Sequence, residues 1–490
     1  MKQLNDPAGI FVEKNQTYFR WRFIAALFVL VGLNCSDSNA QITPIVPDLM
    51  NSDATVDATH DTSPEIATDG DGTWIAAWQG GGDSYLISTD NGQTWLALNG
   101  ISVTTGGLFQ FVLQPRVIMY GNERVGIVSY GRTDDLDWDI CYVYSADNGA
   151  TWSDPIMIND YGSTDSSNDI SSDVAADNNG TVVVTWHSKE DLNGRAGTDI
   201  DIFYSRSTDH GATWSASAVL NSYGTTDSAW EYDPVIATDG YGNFMVAWET
   251  AYDLNGTIGT DRDIVASAST DYGATWSDPA PLNAALEYNA DSSVQIHPYG
   301  IGKWMAVWEH GAFSPTRKEV VVARSEDNGA TWTSPIVVES NAGLYYNGTD
   351  NVHFDTDGDG TWVVVWEPTS DLSGENFVEK DIYYSISTDN GDTWTIGAPI
   401  DVNAGADTGD DENPDVVSDG MGNWILSWES DEDLAGAGTD NDIFFTTFTF
   451  PVTNSPPEEM PPELPIESVV ALGIAALALL LLGVRKMNRT

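Results

Sequence analysis

Pairs of aspartates separated by one residue recur in the long polar segments of this sequence and could bind a hard cation. They lie beside glycine and asparagine, so carboxylate, amide and main-chain carbonyl oxygens occur together, and this is the ligand set that Ca²⁺ prefers. The candidate ligands are Asp191, Asp199, Asp201, Asp253, Asp261 and Asp263. Their spacing is not that of an EF-hand loop, and turn capping in solvated loops is the alternative explanation. Ca²⁺ is therefore a candidate cofactor.

A second set of polar residues occupies one aligned position in seven similar apolar segments. Buried strands normally carry valine or isoleucine at such a position, yet only one of the seven residues is apolar. In chain order they are Glu65, Arg116, Asp173, Val235, Gln295, His353 and Asp415. The polar members either face a water-filled channel or contact a ligand at its mouth. The candidate ligand-binding residues are Glu65, Asp173, Gln295, His353 and Asp415, to which the loops add Trp138 and Trp230.

The element that positions these residues is an octapeptide, S-x-D-x-G-x-T-W, repeated at intervals of about sixty residues. Its copies begin at Ser88, Ser145, Ser207, Ser269, Ser325 and Ser387. Serine and aspartate side chains hydrogen bond to turn amides, glycine accepts a positive φ, and tryptophan fills the space between hairpins. We therefore assign a structural role to Asp90, Asp147, Asp209, Asp271, Asp327 and Asp389. Such a period indicates an array of similar units.

Each unit contains short β-rich runs separated by Asp-Gly or Asn-Gly turns, the pattern of an antiparallel meander. The second run ends in an aromatic residue, at Trp78, Tyr130, Trp186, Trp248, Trp308, Trp366 and Trp428. Four-stranded sheets repeated in this way form propeller blades. The last unit has three runs, and residues 43–48 resemble its missing fourth. We predict an all-β, seven-bladed β-propeller of four-stranded antiparallel blades over residues 41–450, whose N-terminal strand closes the last blade.

The connections of such a meander alternate between two faces of the propeller. The turn between the first two strands shares one face with the octapeptide, and we call this the short-turn face. The loop between the second and third strands shares the opposite face with the link to the next blade, and we call this the long-loop face. Binding residues concentrate on long loops, so we expect function on the long-loop face.

The octapeptide resembles the Asp-box of the bacterial neuraminidase (BNR) repeat, and residues 42–450 resemble the sialidase-type β-propeller superfamily. That resemblance implies sialoside hydrolysis by an arginine triad on the substrate carboxylate, a tyrosine nucleophile paired with glutamate, and an aspartate acid/base. The candidates are Arg116, Arg262, Arg317, Glu231, Tyr232 and Asp233. None lies in a matching motif: the family's Arg-Ile-Pro is absent, its nearest analogue is Pro115–Val117, and the family form has six blades.

The formal net charge of -55 repels nucleic acid and anionic lipid headgroups. Aromatic rings among carboxylates suit a sugar or a protein partner. We therefore predict a surface module that binds or adheres to an extracellular glycan or protein, aided by Ca²⁺ where the aspartate pairs bind it. An exo-α-sialidase-like hydrolase is the alternative, and a structural envelope protein is a second alternative.

The two ends of the chain indicate export and anchoring. Residues 1–40 have a basic start, an apolar run and small residues before Gln41, as a signal peptide does, with lipidation at Cys35 as the alternative. Residues 451–468 are a Pro/Glu-rich linker, 469–484 are apolar and 485–490 are basic. This order resembles the sorting tails of bacterial surface proteins. It predicts a single transmembrane helix at 469–484, a cytoplasmic tail, and a location in the cell envelope or, after processing, outside the cell.

Overall fold

The computed structural model describes residue 42 and residues 47–451, apart from 52–59, 81–84, 99–111, 122, 133–136, 163–165, 255, 283–289, 312–317, 339–348, 369–379, 401–408 and 434–439. In this part of the chain every regular element is a β-strand. The predicted leader, linker, transmembrane helix and basic tail lie outside the described residues. Within the described part, no helical segment has the length and apolar character that a membrane crossing would need.

The strands form seven sheets of four antiparallel strands, so the predicted seven-bladed propeller is confirmed. Blade 1 consists of β2 (Thr62–Thr68), β3 (Trp74–Gln79), β4 (Tyr85–Ser88) and β5 (Leu96–Ala97). Blade 2 consists of β6 (Val112–Tyr120), β7 (Arg124–Arg132), β8 (Trp138–Ser145) and β9 (Ile156–Met157). Blade 3 consists of β10 (Ile170–Ala176), β11 (Val182–Ser188), β12 (Asp201–Ser207) and β13 (Ala218–Val219). Blade 4 consists of β14 (Glu231–Thr238), β15 (Phe244–Thr250), β16 (Asp263–Ser269) and β17 (Ala280–Pro281).

The remaining three blades follow the same order. Blade 5 consists of β18 (Asp291–Gly300), β19 (Lys303–His310), β20 (Glu319–Ser325) and β21 (Ile336–Val337). Blade 6 consists of β22 (Thr349–Thr356), β23 (Trp362–Pro368), β24 (Tyr383–Ser387) and β25 (Ala398–Pro399). Blade 7 consists of β26 (Asp411–Ser418), β27 (Asn423–Ser430), β28 (Asp442–Thr449) and β1 (Asp48–Leu49).

The ring closes where the N-terminal strand β1 pairs with β28, as predicted, with Leu49 opposite Phe444. The strand is at Asp48–Leu49, however, and not at residues 43–48, of which 43–46 lie outside the described residues. The register is set by the buried apolar residue that follows the strand. The Met50 amide donates to the Ile443 carbonyl at 2.8 Å, as the Ile400 amide donates to Ile382 in blade 6. Closure gives blade 7 the same four strands as the other blades, so its outer edge is likewise a short strand.

The hydrophobic core lies between neighbouring blades. Both faces of each sheet are covered, so the second strand of a blade is apolar on both sides, and all seven residues of β15 are buried. Val183 of blade 3, for example, packs in one cluster with Val246 of blade 4. The largest fully buried side chains are Trp74, Trp78, Trp186, Trp248, Trp304, Trp308, Trp362, Trp366, Trp424, Trp428 and Tyr142. The buried thiol of Cys141 belongs to this core.

Each octapeptide closes a turn upon itself. In blade 3 the Ser207 hydroxyl donates to Asp209 Oδ1 at 2.8 Å and accepts from the Gly211 amide at 2.8 Å. The Thr213 amide donates to Asp209 Oδ1 and its hydroxyl to Oδ2. The His210 amide donates to the Gly180 carbonyl, in the turn that joins β10 to β11. The octapeptide and this turn therefore share the short-turn face, which leaves the loops of the opposite face as the place for a site.

Candidate functional site

The first strand of every blade begins with a β-bulge at the long-loop face. The residue inside the bulge has a positive φ, at Ser63, Gln114, Ser171, Asp233, Ser293, Asn351 and Asn413. In each blade the ladder resumes at the aligned position identified in the sequence, as at Glu65 and Arg116. A bulge re-aims the strand that carries it, so the seven bulges surround the mouth of the propeller axis.

Side chains of the neighbouring blade hold these bulges, and sequence reasoning missed them. The Ser63 amide donates to Glu429 Oε2 at 2.7 Å, and the Ser293 amide donates to Glu249 Oε1 at 2.8 Å. Each glutamate directly follows the aromatic residue that closes the second strand of its blade. The signal in the sequence is the Trp-Glu pair, which recurs in β15, β19, β23 and β27.

The aligned polar residues are largely bonded to one another. Arg116 forms an ion pair with Glu65, and His353 Nδ1 lies 3.2 Å from Asp415 Oδ1. Asp173 Oδ2 accepts the Ile236 amide at 2.7 Å, which joins the first strands of blades 3 and 4. Asp415 accepts an amide of the next blade in the same way. Asp173 and Asp415 thus join adjacent strands around the axis. Burial raises the pKa of Asp173, and Arg116 opposes that shift.

A cavity of about 260 Å³ opens among these residues. Its lining includes Arg116, Asp173, Asp233, Glu249, Gln295 and His353. An adjoining cavity of about 120 Å³ shares Arg116 and His353 and is also lined by Glu65. We call the two together the axial cavity. The structure therefore brings four of the five predicted axial ligand contacts to one opening, and the fifth, Asp415, reaches it through its bond to His353.

An aromatic rim, Trp230 and Tyr232, lies beside the axial cavity. Trp230 is 50% exposed and meets the Tyr232 ring edge to face at 6.0 Å. The Arg262 guanidinium lies 5.4 Å from the centre of the Tyr232 ring, and Arg262 Nη1 donates to Glu249 of the cavity at 2.9 Å. Rim and cavity are thus one continuous polar and aromatic surface. The other loop tryptophan, Trp138, packs edge to face on the ring of its own blade's Tyr130 at 5.6 Å.

Five of the six candidate catalytic residues lie in the described part of the chain. Arg116 is ion-paired with Glu65 and Arg262 with Glu249, while Arg317 lies outside the described part. Glu231 is fully buried beneath the rim. Desolvation raises the pKa of Tyr232, and Arg262 opposes that shift. Asp233 occupies the bulge and lines the cavity.

Four carboxylates meet at the junction of blades 3 and 4. Asp199, Asp201, Asp227 and Glu231 form an acidic cluster in which one oxygen of each lies within 4.8 Å of the others, and these residues could hold a metal ion. Burial and mutual repulsion raise the pKa of Asp201 to about 8, of Asp227 to about 7 and of Glu231 to about 10. Sequence reasoning selected Asp199 and Asp201 but not the other two.

The remaining predicted metal ligands lie elsewhere in the loops. Asp191 Oδ1 accepts the Gly197 amide at 3.1 Å, and Asp253 Oδ1 accepts the Gly259 amide at 2.7 Å. These two carboxylates shape equivalent loops of blades 3 and 4. Asp261 and Asp263 occupy in blade 4 the places that Asp199 and Asp201 occupy in blade 3.

A histidine on the axis predicts a pH dependence of stability. Desolvation lowers the pKa of His297, but Asp355, 2.9 Å from Nε2, outweighs it, so the pKa is raised. A raised folded-state pKa stabilises the protein below the unfolded value of about 6.5, and this contribution is lost as the pH rises through the folded value. We expect the difference in melting temperature between wild type and His297→Gln to shrink between pH 6 and pH 9. A constant difference would contradict this, and His60→Gln is the control.

Comparison with known protein families agrees with the architecture. Residues 71–229 and 137–349 match the model of the BNR repeat-like domain. A sialidase of Clostridium perfringens is 28% identical over 161 residues, which are 28% of this chain and 41% of that protein. A xyloglucanase of a Paenibacillus species is 24% identical over 293 residues, 56% of this chain and 26% of that protein. The chain thus spans less than half the length of either relative.

Solved structures align with this chain at low identity. A Hadza microbial sialidase aligns with a TM-score of 0.46 and 15% identity, covering 77% of this chain and 73% of that one.

Proposed function

Since this chain belongs to the BNR repeat-like domain family, we propose that it is a glycan-binding surface module whose site is the axial cavity with its aromatic rim. The observation that carries the proposal is the continuity between an exposed tryptophan and a polar cavity. The Trp230 ring offers an apolar face for a sugar ring, and the cavity offers hydrogen-bond donors and acceptors for hydroxyl groups. Binding sites commonly combine such surfaces.

The charge of the lining favours a neutral sugar over an anionic one. Asp233, Glu249 and Asp173 line the larger cavity, where Arg116 is the arginine in the lining. Its guanidinium is already paired with Glu65. A sialoside carboxylate would have to displace that partner and then face the remaining carboxylates. A neutral oligosaccharide meets no such cost. The xyloglucanase relative acts, by its name, on xyloglucan.

The same pairing argues against hydrolysis of a sialoside. A carboxylate clamp needs guanidinium groups that are free to bind the substrate, and the two described candidates both hold glutamates of the protein. Because one relative is a sialidase, hydrolysis is the alternative function, and a direct assay tests it.

Two measurements on the purified protein test this function. Isothermal titration calorimetry with a xyloglucan heptasaccharide and with 3′-sialyllactose is expected to show tighter binding of the neutral sugar. A fluorogenic sialoside is expected to show no turnover above a buffer blank. Turnover that Arg116→Ala abolishes would replace the binding proposal with the hydrolase. Absence of binding to any glycan, with the fold intact, would leave a protein-binding or structural envelope role.

We also propose that the protein is exported and held at the cell surface by residues 469–484. The leader-like composition of residues 1–40 and the apolar run with its basic tail support this. Fractionation of expressing cells, with and without residues 469–490, tests it. The full chain is expected in the membrane fraction, and the truncated chain is expected to be released.

The proposal includes Ca²⁺ as an ion that stabilises the long loops carrying the rim. Oxygen-rich loops without sulfur or imidazole ligands suit a hard cation.

A further inference from the structure

We propose that Asp199, Asp201, Asp227 and Glu231 form a calcium site that joins blade 3 to blade 4 beneath the aromatic rim. Asp199 and Asp201 lie at the start of the third strand of blade 3. Asp227 lies in the link between the blades, and Glu231 begins β14. One bound ion would therefore connect two loops and two strands across a single junction.

The carboxylates of this cluster include buried oxygens without a hydrogen-bond partner. Asp201 Oδ1 accepts from Asn221 and Glu231 Oε1 accepts from Thr250, while Asp201 Oδ2 and Glu231 Oε2 have no hydrogen-bond partner. These two residues are 1% and 0% exposed. Both oxygens of Asp227 and one of Asp199 are likewise shielded and without partners. A buried carboxylate oxygen without a partner is costly, and a cation at the centre would satisfy all four residues.

At two other blade junctions a single asparagine amide bridges two buried aspartates. At the junction of blades 2 and 3, Asn159 Nδ2 donates to Asp139 at 2.7 Å and to Asp169 at 2.6 Å. Asn51 bridges two aspartates in the same way at the junction of blades 7 and 1.

The junction of blades 3 and 4 differs from both. Asn221 donates to Asp201 at 2.7 Å, but Glu231 stands in the place of the second aspartate, with Oε2 unpartnered. Asp199 and Asp227 complete a cluster of four carboxylates there. A buried carboxylate oxygen left without the amide bridge indicates a cation in place of that bridge. Within the described residues, no lysine, arginine or histidine forms an ion pair with the cluster.

The chemistry of the cluster selects calcium among common divalent ions. All the side-chain ligands are carboxylate oxygens, and Ca²⁺ accepts six to eight oxygen ligands in flexible geometry. Zn²⁺ normally takes nitrogen or sulfur ligands, and Mg²⁺ retains several waters. The raised pKa values of Asp201, Asp227 and Glu231 agree with a group of carboxylates that crowd one another without a counter-charge.

The test is the melting temperature of the full chain after chelation, with Ca²⁺ or Mg²⁺ then added. We expect Ca²⁺ to raise the melting temperature by about 3–6 °C at concentrations well above its dissociation constant. Asp227→Asn is expected to lose most of this response and, in chelator, to melt no lower than wild type because it relieves repulsion. Glu231→Gln is a second variant. Asp191→Asn, in the same loop but outside the cluster, is expected to respond as wild type does.

Several results would overturn the calcium site. These are an unchanged melting temperature of wild type in Ca²⁺, an unaltered response in Asp227→Asn, a lost response in Asp191→Asn, or a response to Mg²⁺ that exceeds that to Ca²⁺. Because Asp227 is only partly buried, its variant is expected to fold even where Glu231→Gln does not.

The site also has a consequence for the rim, and this part rests on the proposed function. Glu231 lies between Trp230 and Tyr232, so an ion bound to its carboxylate would fix the backbone that presents both rings. We expect chelation to weaken binding of a xyloglucan heptasaccharide several-fold, and Ca²⁺ to restore it. If the affinity for the sugar does not change with Ca²⁺ while the melting temperature does, the calcium site is supported but its effect on the rim is refuted. Absence of sugar binding with an intact thermal response would refute the proposed function alone.

Discussion

Asn51→Asp is expected to destabilise the propeller by about 3–5 kcal/mol, the range for leaving a buried charge uncompensated. Asn51 is 1% exposed, and its amide group donates to Asp61 Oδ2 at 2.8 Å and to Asp442 Oδ1 at 2.7 Å. Aspartate has the same shape but replaces the shared donor with a third carboxylate. The lost hydrogen bonds lie where the ring closes and the N-terminal strand completes blade 7. Thermal unfolding at neutral pH measures it.

A control variant and an expected pH dependence make this prediction specific. Asn91→Asp is the control, because Asn91 lies on the short-turn face and serves there as an acceptor, for Trp74 Nε1 at 3.5 Å, which aspartate retains. The difference between Asn51→Asp and wild type should also narrow as the pH falls towards 5, since the new carboxyl can then take up a proton and donate it. A melting temperature of Asn51→Asp within 1 °C of wild type would mean that the bridge does not hold the ring closed.

Gly211→Ala is expected to have the second large effect, through two separable causes. Gly211 has a φ of +85°, where an L-residue costs about 1–2 kcal/mol. An added Cβ would also overlap the ring of Tyr142, a fully buried residue of blade 2. Overpacking of this kind costs a further 1–3 kcal/mol, roughly. Chemical denaturation of the variant should therefore show a loss of about 2–5 kcal/mol.

A matched glycine isolates the packing contribution. Gly240 has a φ of +78° on the same face, but a Cβ there would meet nothing within 4 Å. Gly240→Ala should therefore lose only the part of the free energy of unfolding that comes from the strained backbone. Equal losses in the two variants would show that the octapeptide glycine is needed for its backbone alone and does not hold blades 2 and 3 together.

The architecture could be predicted from the sequence because its signals are local. The octapeptide turn is closed by bonds between residues within six positions of one another, as between Asp209 and Thr213. The closing aromatic of each second strand is likewise visible in a single run of residues. The register of β1 was harder, because it depends on Met50 packing against a strand from the other end of the chain.

The candidate site was less predictable, because its contacts join distant segments. Asp227 and Glu231 reach Asp199 and Asp201 only through the packing of two blades. The paired state of Arg116 depends on Glu65 of another blade. The amide of the Ser63 bulge donates to Glu429, which lies near the C-terminal end of the propeller sequence. Residue types and spacing identified the face on which the candidate site lies, whereas the partners of each side chain required the closed ring.

The proposed glycan site lies on the long-loop face, at the rim of the axial cavity. The direct measurement is calorimetric titration of a xyloglucan heptasaccharide into wild type, Trp230→Ala and Tyr241→Ala. The two rings are similarly exposed, at 50% and 56%, but Tyr241 lies on the short-turn face. We predict that Trp230→Ala weakens binding about tenfold, or about 1.4 kcal/mol, and that Tyr241→Ala leaves it unchanged. Equal affinities of Trp230→Ala and wild type, or a loss confined to Tyr241→Ala, would contradict the account.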